Sequence, residues 1–269
     1  MRDFTLKTYQ LLLEAFIQAG YKFQTFEEYV TKSAEGKVIV MRHDVDELAS
    51  NALKMARVEQ GLGIRATYFF RIVKQSNVPC VIKEIVKMGH EVGYHYEDLS
   101  STDGDLTKAM DSFKTNLAYF RKFYPVRSVC MHGSSTSKHD NRRLWDEHQL
   151  SDFGLIGEPY LSVDFNKMYY LTDTGYSWDG GRFAVRDVIE DVFGLTFHNS
   201  QQIIDCVAKG EFPEKAMILA HTLWSDYLFQ WTFLHVREFF RNRVKLMSRK
   251  HKALARCYEK MVSWYWKKM

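Results

Sequence analysis

The chain has 269 residues, 46% of them apolar and 26% charged, which is the make-up of a folded globular protein long enough for one barrel-sized domain, so disorder and a small disulfide-stapled scaffold are excluded. Its net charge of +4 is confined to the C-terminus: Arg237–Met269 holds 11 Lys/Arg against 2 Asp/Glu, a local +9 that leaves −5 on residues 1–236 and argues against a nucleic-acid-binding body. No stretch approaches the roughly 18 uncharged apolar residues of a membrane span, Met1–Lys7 carries charges where a signal peptide has an apolar core, and Cys80, Cys130, Cys206 and Cys257 are too scattered for a zinc ribbon or a disulfide framework. A cytoplasmic protein is expected.

Along the chain, Phe4, Tyr9, Leu12, Leu13, Phe16 and Ile17 recur at helical spacing up to Gly20. A short second helix is expected over Thr25–Val30, with Thr25 as N-cap. Val38–Met41 is a β-branched, apolar run, as befits a strand buried on both faces, and it leads directly into Arg42-His43-Asp44-Val45-Asp46. Ala49–Glu59 reads as a helix, Ala66–Phe70 as a strand, Val78–Met88 as a helix with Pro79 in its first turn, and Gly89–His95 as a third strand. Leu106–Phe123 is a long amphipathic helix and Ser128–His132 the strand after it. Gly133–Gly181 is polar and turn-rich, a candidate functional loop. Ser200–Lys209 is helical, Ala216–His221 is another buried strand, and the pattern is helical from Trp224 onward. Strands that alternate with helices in this way predict a parallel sheet with crossover helices.

Four of the expected strands end in polar groups: Asp44 and Asp46, His95, His132 and His221. Parallel α/β folds place their chemistry at the carboxyl ends of strands. A spacing of two along an extended chain puts Asp44 and Asp46 on one side and His43 on the other. By the same count His90 faces away from His95 and reads as structural. Imidazole with carboxylate suits a divalent metal in an open catalytic site, and hydrolysis there needs a proton acceptor and a proton donor.

These motifs resemble those of the NodB-like polysaccharide deacetylases, carbohydrate esterase family 4. Arg42-His43-Asp44-Val45-Asp46 is similar to a D-x-D variant of the family's T-F-D-D-G motif, and Gly89-His90-Glu91-Val92-Gly93-Tyr94-His95 is similar to its G-H-E-I-G-x-H stretch. Ala66–Phe70 looks like the family's A-T-F-F strand, and Leu219-Ala220-His221 its L-x-H. Asp173–Asp179 resembles the tryptophan-bearing fourth motif loosely, and the R-x-P-Y motif is not found.

The resemblance implies an irregular (β/α) barrel over residues 36–232, with an N-terminal helical segment over 1–35 and basic amphipathic C-terminal helices over 233–269, together one structural domain. It implies a metal-dependent hydrolase that removes an N-acetyl or similar acyl group from an amino sugar, with Asp44 as base, His221 as acid, and Asp46 and His95 as metal ligands. Zinc is expected first, with cobalt, nickel or manganese as alternatives. The family's second metal histidine falls on Leu99, so His132, Glu97 and Asp98 are the candidates for the third ligand. Trp178, Tyr160 and Arg186 are candidates for substrate contact, and Arg182 or Arg186 for orienting Asp44. A non-catalytic carbohydrate-binding relative is the alternative, and another metal-dependent amidohydrolase comes after it. A His-Asp metal phosphohydrolase is set aside because its motif sits on helices. The expected partner is an N-acylated carbohydrate, free or lipid-linked.

Phe233, Val236, Phe240, Val244, Met247, Leu254, Tyr258, Met261 and Tyr265 recur at steps of three, four or seven. They predict a helix packed on the body with a solvated basic back. The terminal Trp264-Tyr265-Trp266-Lys267-Lys268 also suits peripheral contact with an anionic membrane, which would place the protein at the inner membrane surface.

Overall fold

The computed structural model describes residues 2–32, 35–133, 137–178, 189–190 and 192–250, with side chains as far as residue 246. Its strands are β1 (Lys22–Gln24), β2 (Val38–Val45), β3 (Thr67–Phe70), β4 (Glu91–Tyr96), β5 (Val129–Met131), β6 (Tyr169–Thr172) and β7 (Lys215–Leu219). They form one sheet in the order β5-β4-β3-β2-β7-β6, with β1 added beside β2, and every pairing is parallel. The helices are α1 (Leu6–Gln18), α2 (Phe26–Thr31), α3 (Ala49–Gly61), α4 (Pro79–Lys87), α5 (Asp98–Ser101), α6 (Leu106–Phe120), α7 (Pro159–Ser162), α8 (Ser200–Ala208) and α9 (Leu228–Lys250).

Local chemistry starts several of these where the sequence predicts. Thr5 caps α1 through the Thr8 amide, Thr25 and Glu28 form a capping box on α2, and Pro79 opens α4. Two strands were not expected, β1 and β6. The second, Tyr169-Tyr170-Leu171-Thr172, has good β-forming residues but stands in a turn-rich stretch that masks its period.

Strand β2 is the centre of the sheet. Its first half pairs with β1 and its second half with β3, while β7 runs along the other edge. It is twice the length of the apolar run that predicts it, eight residues all buried, so Arg42, His43 and Asp44 lie within the sheet. Its alternation separates two cores. Ile39, Met41 and Val45 face the helix layer in the larger core, and Val38 and Val40 face a smaller one with Phe26, Phe69, Cys130 and Met217. Contact among side chains from such separated strands means that the sheet is curled into a half-barrel with this small cluster inside. Gly93 makes room there, because a Cβ on it would lie 2.3 Å from the Phe69 ring. No pairing joins β5 to β6 among the described residues, and residues near Gly157 add a single bridge to Ser128 at that opening.

The outer face of β2 carries a buried polar cluster. Glu59 of α3 accepts from Tyr9 (2.5 Å), Tyr68 (2.6 Å) and His43 Nε2 (2.6 Å), and His43 Nδ1 lies 2.8 Å from the Ala220 carbonyl. His43 therefore lies on the far side of the sheet from Asp44, and His90 belongs to the same packing, 3.1 Å from the Ala56 carbonyl. Burial alone would raise the Glu59 carboxyl, but His43 and His90 outweigh it and hold it below its ordinary range. Replacing Glu59 by alanine orphans three buried donors and is expected to cost on the order of 3–5 kcal/mol. A urea unfolding curve would show the midpoint moved down with its slope kept.

Helix α9 reverses the expected orientation. Phe233, Val236 and Phe240 are exposed, and the helix meets the body through Leu234, Glu238 and Asn242. Polar bonds set this rotation: Arg237 pairs with Glu47, Glu238 with Arg241 at 2.7 Å, and Asn242 donates to the Gly175 carbonyl at 2.8 Å. The predicted stripe beyond residue 246 lies outside the described side chains. No helix among the described residues is long and apolar enough to cross a membrane.

Candidate active site

The carboxyl ends of β2, β4 and β5 bring Asp46, His95 and His132 together. His95 Nε2 and His132 Nε2 stand 3.4 and 3.5 Å from the same oxygen, Asp46 Oδ1. Each imidazole has its other nitrogen engaged. His95 Nδ1–H donates to the Cys130 carbonyl at 2.9 Å, and His132 Nδ1–H donates to Glu97 Oε2 at 2.9 Å. Those bonds fix the tautomer and turn both Nε2 lone pairs inward. Three acceptor atoms within 4.8 Å of one another thus face a common point, and Asp46 Oδ1 is buried with no hydrogen-bond donor. A cation reconciles such a set, and the donors, two imidazoles and a carboxylate, suit a zinc-like ion with open positions. Burial would raise Asp46, yet its neighbours His132, His95 and Arg71 hold it well below the ordinary carboxylate range.

His132 thus joins Asp46 and His95 in this candidate group. Glu97 does not: Arg71, just after β3, clamps its two oxygens at 2.7 Å each, and with His132 overrides burial to bring its carboxyl down to about 2. Its role is to orient His132. Asp98 is corrected as well, because it is buried at the start of α5 and takes bonds from Tyr94, Ser112 and Asn116. Leu99 belongs to the large core. A second triad, Asp44, His95 and Cys130, has the same compactness. Burial pushes the Cys130 thiol well above its ordinary value, and Arg42 Nη1 donates to its sulfur at 3.3 Å, so it offers no thiolate. We expect His132→Ala to lose divalent-metal binding, and Glu97→Gln to weaken it by about 10–100-fold. Calorimetric titration with zinc checks both, and unchanged affinity in His132→Ala would remove it from the ligand set.

Asp44 lies one row deeper on the same face. Its Oδ2 takes a bond from Arg42 Nη2 at 3.2 Å and stands 3.7 Å from His95 Nε2, while Oδ1 is buried and takes none. Arg42 is fully buried, with its guanidinium 4.8 Å from the Tyr160 ring and its Nη2 donating to the Tyr160 hydroxyl at 2.6 Å. Arg42 is therefore the cation that orients Asp44. It was legible in principle, two residues upstream on the same strand face. Arg182 and Arg186 lie outside the described residues. Tyr160, expected to contact substrate, turns its ring to Arg42 and its hydroxyl to Tyr170 at 3.2 Å.

His221 follows β7. Its backbone N–H and its Nδ1–H both donate to Asp173 Oδ1, at 2.9 and 2.7 Å, and Trp224 Nε1–H donates to Asp173 Oδ2 at 2.8 Å. Nε2 is left as the nitrogen available for chemistry. Enclosure alone would push this imidazole down, but Asp173, with the charges of Asp46 and Asp44 behind it, holds it up at about 9. Asp173 was not singled out as a site residue from the sequence, although it follows β6 as Asp46 follows β2. Trp178 is not at the site: it is buried against Phe4 and Trp224, and its indole N–H donates to Ser200 at 2.8 Å.

No protein-family profile matches the sequence, and no curated protein matches it. Solved structures do. A family 4 carbohydrate esterase pseudoenzyme from Bacillus anthracis is similar at 13% identity and TM-score 0.42, covering 78% of this chain and 62% of its own, so this chain spans less than two thirds of that protein. A family 4 carbohydrate esterase from Streptococcus mutans is similar at 13% identity and TM-score 0.41, over 81% of this chain and 86% of its own. A family 4 carbohydrate esterase from Streptomyces lividans, solved with acetate, is similar at 14% identity and TM-score 0.40, over 78% and 91%. The likeness is loose and is one of fold; the roles of individual residues rest on the contacts above.

Proposed function

We propose that the chain is a metal-dependent hydrolase that removes an N-acyl group, acetyl first, from an amino sugar of a free or lipid-linked glycan. The observation that carries this reading is the convergence of three inward-facing acceptors, the Arg42-held Asp44 and the Asp173-held His221 at one end of a single parallel sheet. Asp46, His95 and His132 would hold a divalent cation, zinc before cobalt, nickel or manganese. Such an ion supplies Lewis-acid polarisation of the acyl oxygen and lowers the pKa of water.

The chain's own groups divide the proton transfers. Asp44 Oδ1, with no donor of its own, accepts the proton of the attacking water, while Arg42 keeps the carboxylate from rotating. His221, protonated below about pH 9, gives its Nε2 proton to the departing amine as the carbon–nitrogen bond breaks. The products are a carboxylic acid and a free amino sugar. The retained proton donor, proton acceptor and ligand set favour this over a non-catalytic binding protein. The test is acid release from N-acetylated chito-oligosaccharide by the zinc-loaded protein, reversed by a chelator. No acid from that substrate or from simple N-acyl sugars, with zinc shown to be bound, would overturn the sugar-deacylase reading.

A further inference from the structure

Helix α9 is turned inside out. Its buried side holds Glu238 and Asn242, with Leu234 as the one buried apolar residue among the described side chains. On the opposite side stand Phe229 (72% exposed), Phe233 (54%), Val236 (51%) and Phe240 (61%). Steps of four, three and four place these four within a narrow arc of one helix face. Tyr227, Leu228 and Phe239 border them and are exposed too. A contiguous aromatic face of this kind on a folded chain marks a surface that something covers.

The charges choose the occupant. The only acid of α9, Glu238, is turned inward and bound by Arg237 and Arg241, so the helix sets no carboxylate beside the stripe. Arg243 is exposed at its edge, with its guanidinium 5.1 Å from the Phe239 ring, and the sequence that follows it adds Lys245, Arg249 and Lys250. The sequence beyond adds Lys252, Arg256, Lys260, Lys267 and Lys268 against one acid, Glu259. A second copy packed through this face would oppose like charges. An anionic lipid surface takes aromatics below the headgroups and cations among them.

We infer that α9 docks on an anionic membrane surface through Phe229, Phe233, Val236 and Phe240, lying in the interface. The docking stands on α9's own surface and does not depend on the hydrolase reading. Its inward side bonds Glu47 and Gly175, the first adjacent to Asp46 and the second two residues after Asp173, so the docking face lies across the helix from residues that flank the site.

The test is co-sedimentation of the full-length protein with phosphatidylglycerol and with phosphatidylcholine vesicles, alongside a Phe229→Ser/Phe233→Ser/Phe240→Ser variant. All three substitutions are at exposed positions, and an unchanged thermal melt verifies folding. Binding to the anionic vesicles alone is expected, weakened by salt and reduced about tenfold or more in the variant. The inference is overturned if the wild type stays in solution, or if the variant binds as well as the wild type. It is equally overturned if sedimentation velocity shows a dimer that the variant dissolves and neither protein binds vesicles.

Discussion

Asp44→Asn is expected to lower N-acyl hydrolysis by about 10²–10⁴-fold while zinc stoichiometry stays unchanged, because the substitution removes a proton acceptor and leaves Asp46, His95 and His132 intact. The substitution also has a structural cost, since Arg42 is wholly buried and Asp44 is the carboxylate bonded to it among the described residues. Breaking a buried pair from one side costs on the order of 3–5 kcal/mol, and asparagine, which keeps an oxygen for Arg42 Nη2, should fall at the low end. Two readouts separate these effects. A melt reports the lost pairing, and turnover per zinc-loaded, folded molecule reports the lost base. Wild-type turnover in folded, zinc-bound Asp44→Asn would show that another group takes the proton.

The sequence carried the parallel sheet, the sided placement of Asp44 and Asp46, and the polar ends of β4, β5 and β7, because each follows from the two-residue period of a strand. It carried much less of what supports them. Asp173 is 48 residues from His221, Glu97 reaches His132 from the end of β4, and Arg71 reaches Glu97 from the end of β3. Those pairings depend on strand order and register, which one sequence does not display. The candidates for a third ligand show the same limit. His132, Glu97 and Asp98 were all legible as polar groups near the end of β4 or β5, but choosing among them needs the fold, in which the short helix α5 turns Asp98 into the packing and the parallel neighbour β5 sets His132 beside His95. Trp178 and the α9 stripe were misread for a related reason: the spacing of aromatics does not say which side of an element is covered.

Asp173→Asn should move the pH dependence of turnover and lower stability together. Asp173 is the main reason that His221 stands at about 9 and not at its ordinary 6.5, against the downward pull of enclosure. Because the folded value is raised, the contribution to stability is complete below about pH 6.5 and disappears as pH rises through about 9, with an upper limit of about 3 kcal/mol. The acid must be protonated to act, so wild-type turnover should fall above about pH 9. With asparagine in place, that limb should move toward 6.5, and near pH 8 only about one imidazole in thirty would carry its proton. Asparagine also presents an N–H₂ group to one of its two neighbours. If its oxygen stays on His221, Trp224 Nε1–H, now 2.8 Å from Asp173 Oδ2, loses its acceptor in a buried site, at a cost of about 1–3 kcal/mol. A variant that merely loosened the fold would lower turnover at every pH alike. Displacement of the alkaline limb, with zinc retained, is the signature of Asp173 acting through His221, and an unmoved limb would detach Asp173 from the acid's chemistry.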